Sequence, residues 1–233
     1  MPILAPMLWL LLWLLLVILL LLAWILFAVR TAVVRTMRQP PQFIAVDDPV
    51  LRSESQRHLE ALLAAGFEPL GAPFRAQLGT QLLVVAFVHR ERALLAAVTE
   101  PQNQRVRVLV DLVTTFRSGT MLTTCNSVDA GCMPLPVDRL LQIVAAEDVA
   151  GLLTAHLQGV ALLQAEGQVA ESTAHATLAT AQASMASCFQ GLLEVLRRAP
   201  WRSAWIALVR TVRRRNPHCA PLAEQRRLAR PAS

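Results

Sequence analysis

Arg105-Val106-Arg107-Val108-Leu109-Val110-Asp111-Leu112-Val113-Thr114-Thr115-Phe116-Arg117 is the stretch that decides the fold. Val106, Val108, Val110, Leu112, Thr114 and Phe116 fall on one side. Arg105, Arg107, Asp111, Thr115 and Arg117 fall on the other, with Leu109 and Val113 among them. A period of two predicts a half-buried strand. Ser118-Gly119 predicts a two-residue hairpin loop, and Thr120 to Asn126 the returning strand. Upstream, Gln81 to Val88 is a short apolar run ending in the polar turn His89-Arg90-Glu91-Arg92. Ala93 to Thr99 is its hairpin partner, and Pro101-Gln102-Asn103 makes the next turn. The expectation is a four-stranded antiparallel meander.

Helices flank it on both sides. Ser53 with Gln56 predicts a capping box, followed by the stripe Leu59, Leu62, Leu63 and a stop at Gly66. Phe67 to Gly79 is rich in Gly and Pro and predicts a connector. The whole is an α+β module with the helix on one face of the sheet. Beyond Pro134 and Pro136 the pattern turns helical, first with Leu140, Leu141, Ile143 and Val144 after Asp138. Asp148 then caps a helix carrying Val149, Leu152, Leu153, Leu157, Val160 and Leu163, which Gly167 ends. Residues 171–198 predict a longer helix with the heptad seam Ala174, Leu178, Ala181, Met185, Cys188, Leu192, Val195. Two uses of this seam compete: an intramolecular helical hairpin with residues 148–166, or a homo-oligomer through residues 174–195.

Composition places the chain. It has 233 residues, 55% of them hydrophobic and 16% charged, with all 22 basic residues Arg and no Tyr. That excludes a disordered tail and, with four Cys, a disulfide scaffold. Met1 to Val29 holds no charged side chain. Met7 to Val29 spans about 35 Å as a helix, more than the ~30 Å hydrocarbon core of a bilayer. Trp9 and Trp13 lie toward one end and Trp24 toward the other, as interfacial anchors do. Arg30, Arg35 and Arg38 follow the apolar run and none precedes it. The positive-inside rule then puts the bulk of the chain in the cytoplasm. The competing reading is a cleaved signal peptide, disfavoured by an uncharged n-region and an overlong apolar run.

The expected order is therefore a transmembrane helix (1–29), a juxtamembrane linker (30–52), the α+β module (53–136), a helical region (137–199) and a basic amphipathic tail (200–233). Charge is segregated along it. Residues 140–196 carry five acids and no Arg, and residues 197–233 carry ten Arg against one Glu. In the tail, Trp201 and Trp205 share an apolar face with Leu208 and Val212, while Arg202, Arg210 and Arg213 lie to the other side. Three of the five Trp are in the apolar run and none lies between residues 25 and 200. The last two therefore predict docking on anionic lipid headgroups of the bilayer. An Arg run without a fold signature does not point to nucleic acid.

Chemistry-bearing residues are sparse. No His pair has metal-ligand spacing, no cofactor motif occurs, and Cys125 and Cys132 do not make a C-x-x-C. His156 sits near the centre of an apolar helical stripe, so a core histidine competes with a catalytic base. His58 and His89 are expected on the surface. A two-residue hairpin loop pairs Asp111 with Asn126, Val113 with Thr124 and Thr115 with Leu122. Asp111, Thr115, Thr124 and Asn126 would then share the polar sheet face as a ligand-binding or hydrolytic site, with Asp111 and His156 the catalytic candidates.

The Ala65-Gly66-Phe67-Glu68-Pro69-Leu70-Gly71 turn, the Thr114-Thr115-Phe116-Arg117-Ser118-Gly119 hairpin and Leu122-Thr123-Thr124-Cys125-Asn126 resemble an uncharacterised group of bacterial membrane-anchored proteins. That group has a Gly-Phe turn after a helix and a Thr-Thr-Phe, Gly, Leu-Thr-Thr, Asn hairpin. The resemblance covers roughly residues 50–160, with Ser118 where Asp often precedes the hairpin Gly. It implies a bacterial origin and the module's boundary, and no activity. The sequence thus describes a single-pass inner-membrane protein, a non-enzymatic interaction or assembly module, with a small-ligand-binding or hydrolytic domain as the alternative.

Overall fold

A computed structural model describes residues 4–37, 41–77, 81–102, 106–126, 136, 138–146, 148–198, 201 and 220–229. The fold is α+β, with one apolar N-terminal helix and an eight-stranded mixed sheet. The strands are β1 (Gln42–Ala45), β2 (Glu68–Pro69), β3 (Phe74–Gln77), β4 (Gln81–His89), β5 (Leu94–Pro101), β6 (Leu109–Thr115), β7 (Met121–Cys125) and β8 (Arg139–Ile143). Their order is β1-β3-β4-β5-β6-β7-β8, with β2 paired to β4. All neighbours are antiparallel except β7 and β8.

The expected four-stranded sheet is too small. β1 lies in the stretch read as a linker, and β2 and β3 in the stretch read as a connector. β8 lies where a helix was expected. Its residues Arg139 to Ile143 were too few to separate a strand from one helical turn by periodicity. Parallel pairing with β7 (Leu122 with Leu140, Thr124 with Gln142) decides it.

Helices cover both faces. α2 (Ser53–Ala64) and α3 (Val149–Ala165) lie on one, where Leu62, Phe67, Val85, Phe87, Ala96, Val98, Val110, Leu112, Leu152 and Leu153 form the main core. α4 (Leu178–Arg198) lies on the other, with Leu178, Ala181 and Met185 against Phe74, Ala76, Val84 and Ala86. The expected helical hairpin of residues 148–166 and 171–198 is thus replaced by a sheet with α3 and α4 on opposite sides. Three seam positions are spent on the sheet of their own chain, and Ala174 precedes the helix and is exposed. A short C-terminal helix, α5 (Leu222–Ala229), packs on α3 and buries Leu222 among Phe116, Leu122, Val160 and Leu163.

Local chemistry sets the helix ends. Gly66 and Gly167 take φ of 87° and 88°, a left-handed conformation that costs a side chain dearly. Each closes a Schellman cap: Phe67 N–H donates to Leu62 O and Gln168 N–H to Leu163 O. Asp148 caps α3 by accepting from Gly151 N–H at 2.8 Å. The capping box at Ser53 does not form. α2 starts at Ser53, and its flanking residue Arg52 makes no side-chain cap. Glu100 of β5 caps it instead, accepting from Arg52 N–H at 3.1 Å and Ser55 Oγ at 2.5 Å. Burial pushes the Glu100 carboxyl up, and the Ser55 hydroxyl, the Arg52 N–H and the Arg52 guanidinium together carry it below its usual value.

α1 (Leu4–Met37) is an unbroken helix of 34 residues. Its Trp9–Ala28 window has mean hydropathy 3.2, and none of that window is buried. By length and composition it is the one helix among the described residues able to cross a membrane; a signal sequence passes the same test. Trp9, Trp13 and Trp24 are exposed, as are Arg30 and Arg35 beyond the window. Arg38, Arg202, Trp205, Arg210 and Arg213 lie outside the described residues.

Candidate functional site

The β6–β7 hairpin corrects the expected polar face by one residue. Phe116 N–H donates to Thr120 O and Gly119 N–H to Phe116 O, each at 2.8 Å, and Gly119 has φ 85°. This is a three-residue loop, Arg117-Ser118-Gly119, closed by a left-handed glycine. The pairs become Asp111 with Cys125, Val113 with Thr123 and Thr115 with Met121. A one-residue change of register moves a strand's side chains to the opposite face. Thr124 therefore leaves Asp111 and Thr115 and joins Leu112 and Thr114 beneath α3. Asn126 is also not on the Asp111 face. Its side-chain oxygen accepts from Val110 N–H at 2.9 Å and its amide donates to Val108 O at 3.3 Å. It extends the ladder past the end of β7.

On the α3 face the shift builds a buried polar chain. His156 is fully buried, with Nε2 3.0 Å from Thr114 Oγ1 and Nδ1 2.8 Å from Thr124 Oγ1. Gln142 of β8 donates from Nε2 to Thr124 Oγ1 at 2.8 Å, and its Oε1 accepts from Leu222 N–H at 2.7 Å. A backbone N–H can only donate, so Leu222 fixes the Gln142 amide. Thr124 then accepts from Gln142, and its own hydroxyl can donate to His156 Nδ1. In that arrangement the imidazole is the Nε2–H tautomer and donates to Thr114. Burial holds its pKa down at about 4, so it is neutral at physiological pH. Gly159 of α3 lets Gln142 in: a Cβ there would stand 2.6 Å from Gln142 Nε2. This chain crosses from the sheet core to α5, and both nitrogens of the candidate base are occupied.

On the α4 face Asp111 has different surroundings. It lies beneath α4, in electrostatic range of Cys188, as are Arg139 and Asp138 of the β8 end. Burial raises its carboxyl to about 6, although part of the residue still reaches solvent. Cys188 is raised by burial, with Arg139 opposing and the two Asp adding to the shift. Asp111 and His156 thus lie on opposite sides of the sheet. Among the described residues no cluster of three or more His, Cys, Asp or Glu is placed to hold a metal.

Two histidines differ from expectation. His89 is 7% exposed, stacked edge-on against Phe67 at 5.3 Å, with Nδ1 unbonded. His58 is half-buried, and burial lowers its pKa, with Glu54 opposing and Arg57 adding. His89 ends an apolar strand, and strand position was the signal for its burial. No family model matches the chain, and no curated protein or solved structure matches it either.

Proposed function

We propose that the chain is a single-pass membrane protein whose folded body lies on the cytoplasmic face of a bacterial inner membrane and acts as a non-enzymatic interaction or assembly module. One observation carries the anchoring: no residue of the apolar window of α1 is buried, yet the helix runs on to Met37 and packs on α4. A leader made to be cut away has no need of that packing. Trp9, Trp13, Trp24, Arg30 and Arg35 mark the two interfaces, and the Arg side sets the orientation. The non-enzymatic part draws support from His156, which is spent inside the core, on the side of the sheet away from Asp111.

Alkaline extraction of membranes from cells making the full chain tests the anchor. The chain stays in the membrane pellet, and deletion of residues 4–37 releases it. Release of the intact chain by alkali overturns the reading.

The second reading keeps Asp111 as the centre of a small-ligand site. What favours it is a desolvated carboxyl raised to about 6, in electrostatic range of Cys188 on α4.

A further inference from the structure

We propose that the end of α4, with Trp201 beyond it, is a second membrane contact, seating Arg197, Arg198 and Trp201 among anionic lipid headgroups beside the exit of α1. It rests on the reading of α1 as a span and adds a fixed orientation of the body on the bilayer.

α4 divides into two parts. Leu178, Ala181 and Met185 lie on the sheet. Further on, Leu193 and Leu196 are buried with Phe189 and Leu192 in a separate cluster. α1 is an element that packs on α4. Pro41, just past the end of α1, lines a cleft of about 550 Å³ with Phe189, Gly191, Leu193 and Glu194. The end of α1 is therefore beside the middle of α4. Among the described side chains of α1 two are half-buried, Val34 and Leu26, and Leu26 lies inside the apolar window. The covered track thus runs from the end of α1 back toward the bilayer.

From there the last turns of α4 run back along α1. Leu193 to Arg198 rises about 8 Å, and Met37 back to Ala28 about 14 Å. Trp201 lies three residues past Arg198, toward the level where the apolar window ends. It is 56% exposed, an indole at the depth that interfacial Trp prefer. Arg197 and Arg198 are exposed there, with Arg30 and Arg35 of α1. Glu194 binds Arg197 at 2.7 Å and Arg198 at 2.9 Å, which holds both side chains on this side of α4. Four Arg against one Glu make a collar that fits anionic headgroups.

Photocrosslinking of the full chain in bilayers of phosphatidylcholine and phosphatidylglycerol tests this, with p-benzoyl-phenylalanine in place of Trp201, Leu14 or Val169. Val169 is an exposed apolar control on the loop after α3. Lipid adducts are expected at positions 14 and 201 and not at 169. In phosphatidylcholine alone the yield at 201 falls severalfold, and that at 14 does not. Adducts at 14 without adducts at 201 overturn the second contact and leave the span. So do adducts at 201 to protein only, equal adducts at 169, or an unchanged yield at 201 without anionic lipid. Loss of adducts at 14 overturns the span itself.

Discussion

Replacing Gly159 with Ala should destabilise this protein, against the usual rule for helices. Gly159 lies inside α3, and Gly→Ala within a helix ordinarily gains about 1 kcal/mol. Here the added Cβ would meet Gln142 Nε2 at 2.6 Å, Leu122 Cδ2 at 3.0 Å and Gln142 Cδ at 3.1 Å. Gln142 is 1% exposed and bonded at both ends, to Thr124 and to Leu222 N–H, so it cannot swing away freely. Displacing it breaks two buried hydrogen bonds, each worth about 1 kcal/mol net, and overpacking adds roughly 1–3 kcal/mol. The balance is a loss of about 2–4 kcal/mol. Urea unfolding of the full chain in mild detergent, followed by circular dichroism, measures it. The shortest contact is with Gln142, and Leu122 is the second neighbour, so Gly159→Ala should cost much less once Gln142→Ala has removed that side chain, a coupling of about 2 kcal/mol. Gly191→Ala in α4, whose Cβ would touch Pro136 Cγ at 3.4 Å among the described residues, is the control and should be neutral or stabilising. A Gly159→Ala protein as stable as the parent, or additive with Gln142→Ala, refutes the buried chain.

Three further outcomes follow from the same geometry. His156 is held at about 4 when folded, so between about pH 4 and its ordinary 6.5 the unfolded chain binds more protons. Taken alone, His156 makes stability rise with pH across that window, by about 3 kcal/mol in full, and His156→Gln should remove that rise in a pH series of unfolding curves, leaving a net fall. Asp111 has the opposite sign: its folded pKa, raised from 3.8 to about 6, makes stability fall as pH rises between those values. In the parent the two largely offset each other, so Asp111→Asn should leave a rise with pH over that window and stabilise the protein at pH 7.5, and loss of stability there would show the carboxylate to be favourably bound. Leu222→Ala should cost about 3 kcal/mol and speed tryptic cleavage at Arg226, which the Glu166 ion pair otherwise helps to hold, leaving the sheet intact.

The sequence revealed strands whose side chains have one wet and one dry face. Val108, Val110, Leu112, Thr114 and Phe116 are all essentially buried, as alternation required, while Val106, expected on the same face, lies ahead of β6 and is 37% exposed. It did not reveal β1, β2, β3 or β8, which are two to five residues long and owe their state to a neighbouring strand. The site was lost on one residue. Ser118-Gly119 satisfies either a two- or a three-residue loop, and only the left-handed Gly119 with the Phe116–Thr120 pair chooses. That choice moves Thr124 from Asp111 to His156. The core placement of His156 was legible from its stripe. Its partner Gln142 was not, because it comes from a segment read as helix. The seam of α4 was visible as a pattern, but a heptad does not say whether a helix or a sheet will cover it.

The intact mass of the chain recovered from alkali-washed membranes tests the central claim most directly. The account predicts the full 25.6 kDa, with α1 still attached and the protein in the pellet. A shorter mass that lacks the Trp9–Ala28 segment, with the remainder soluble, would contradict it.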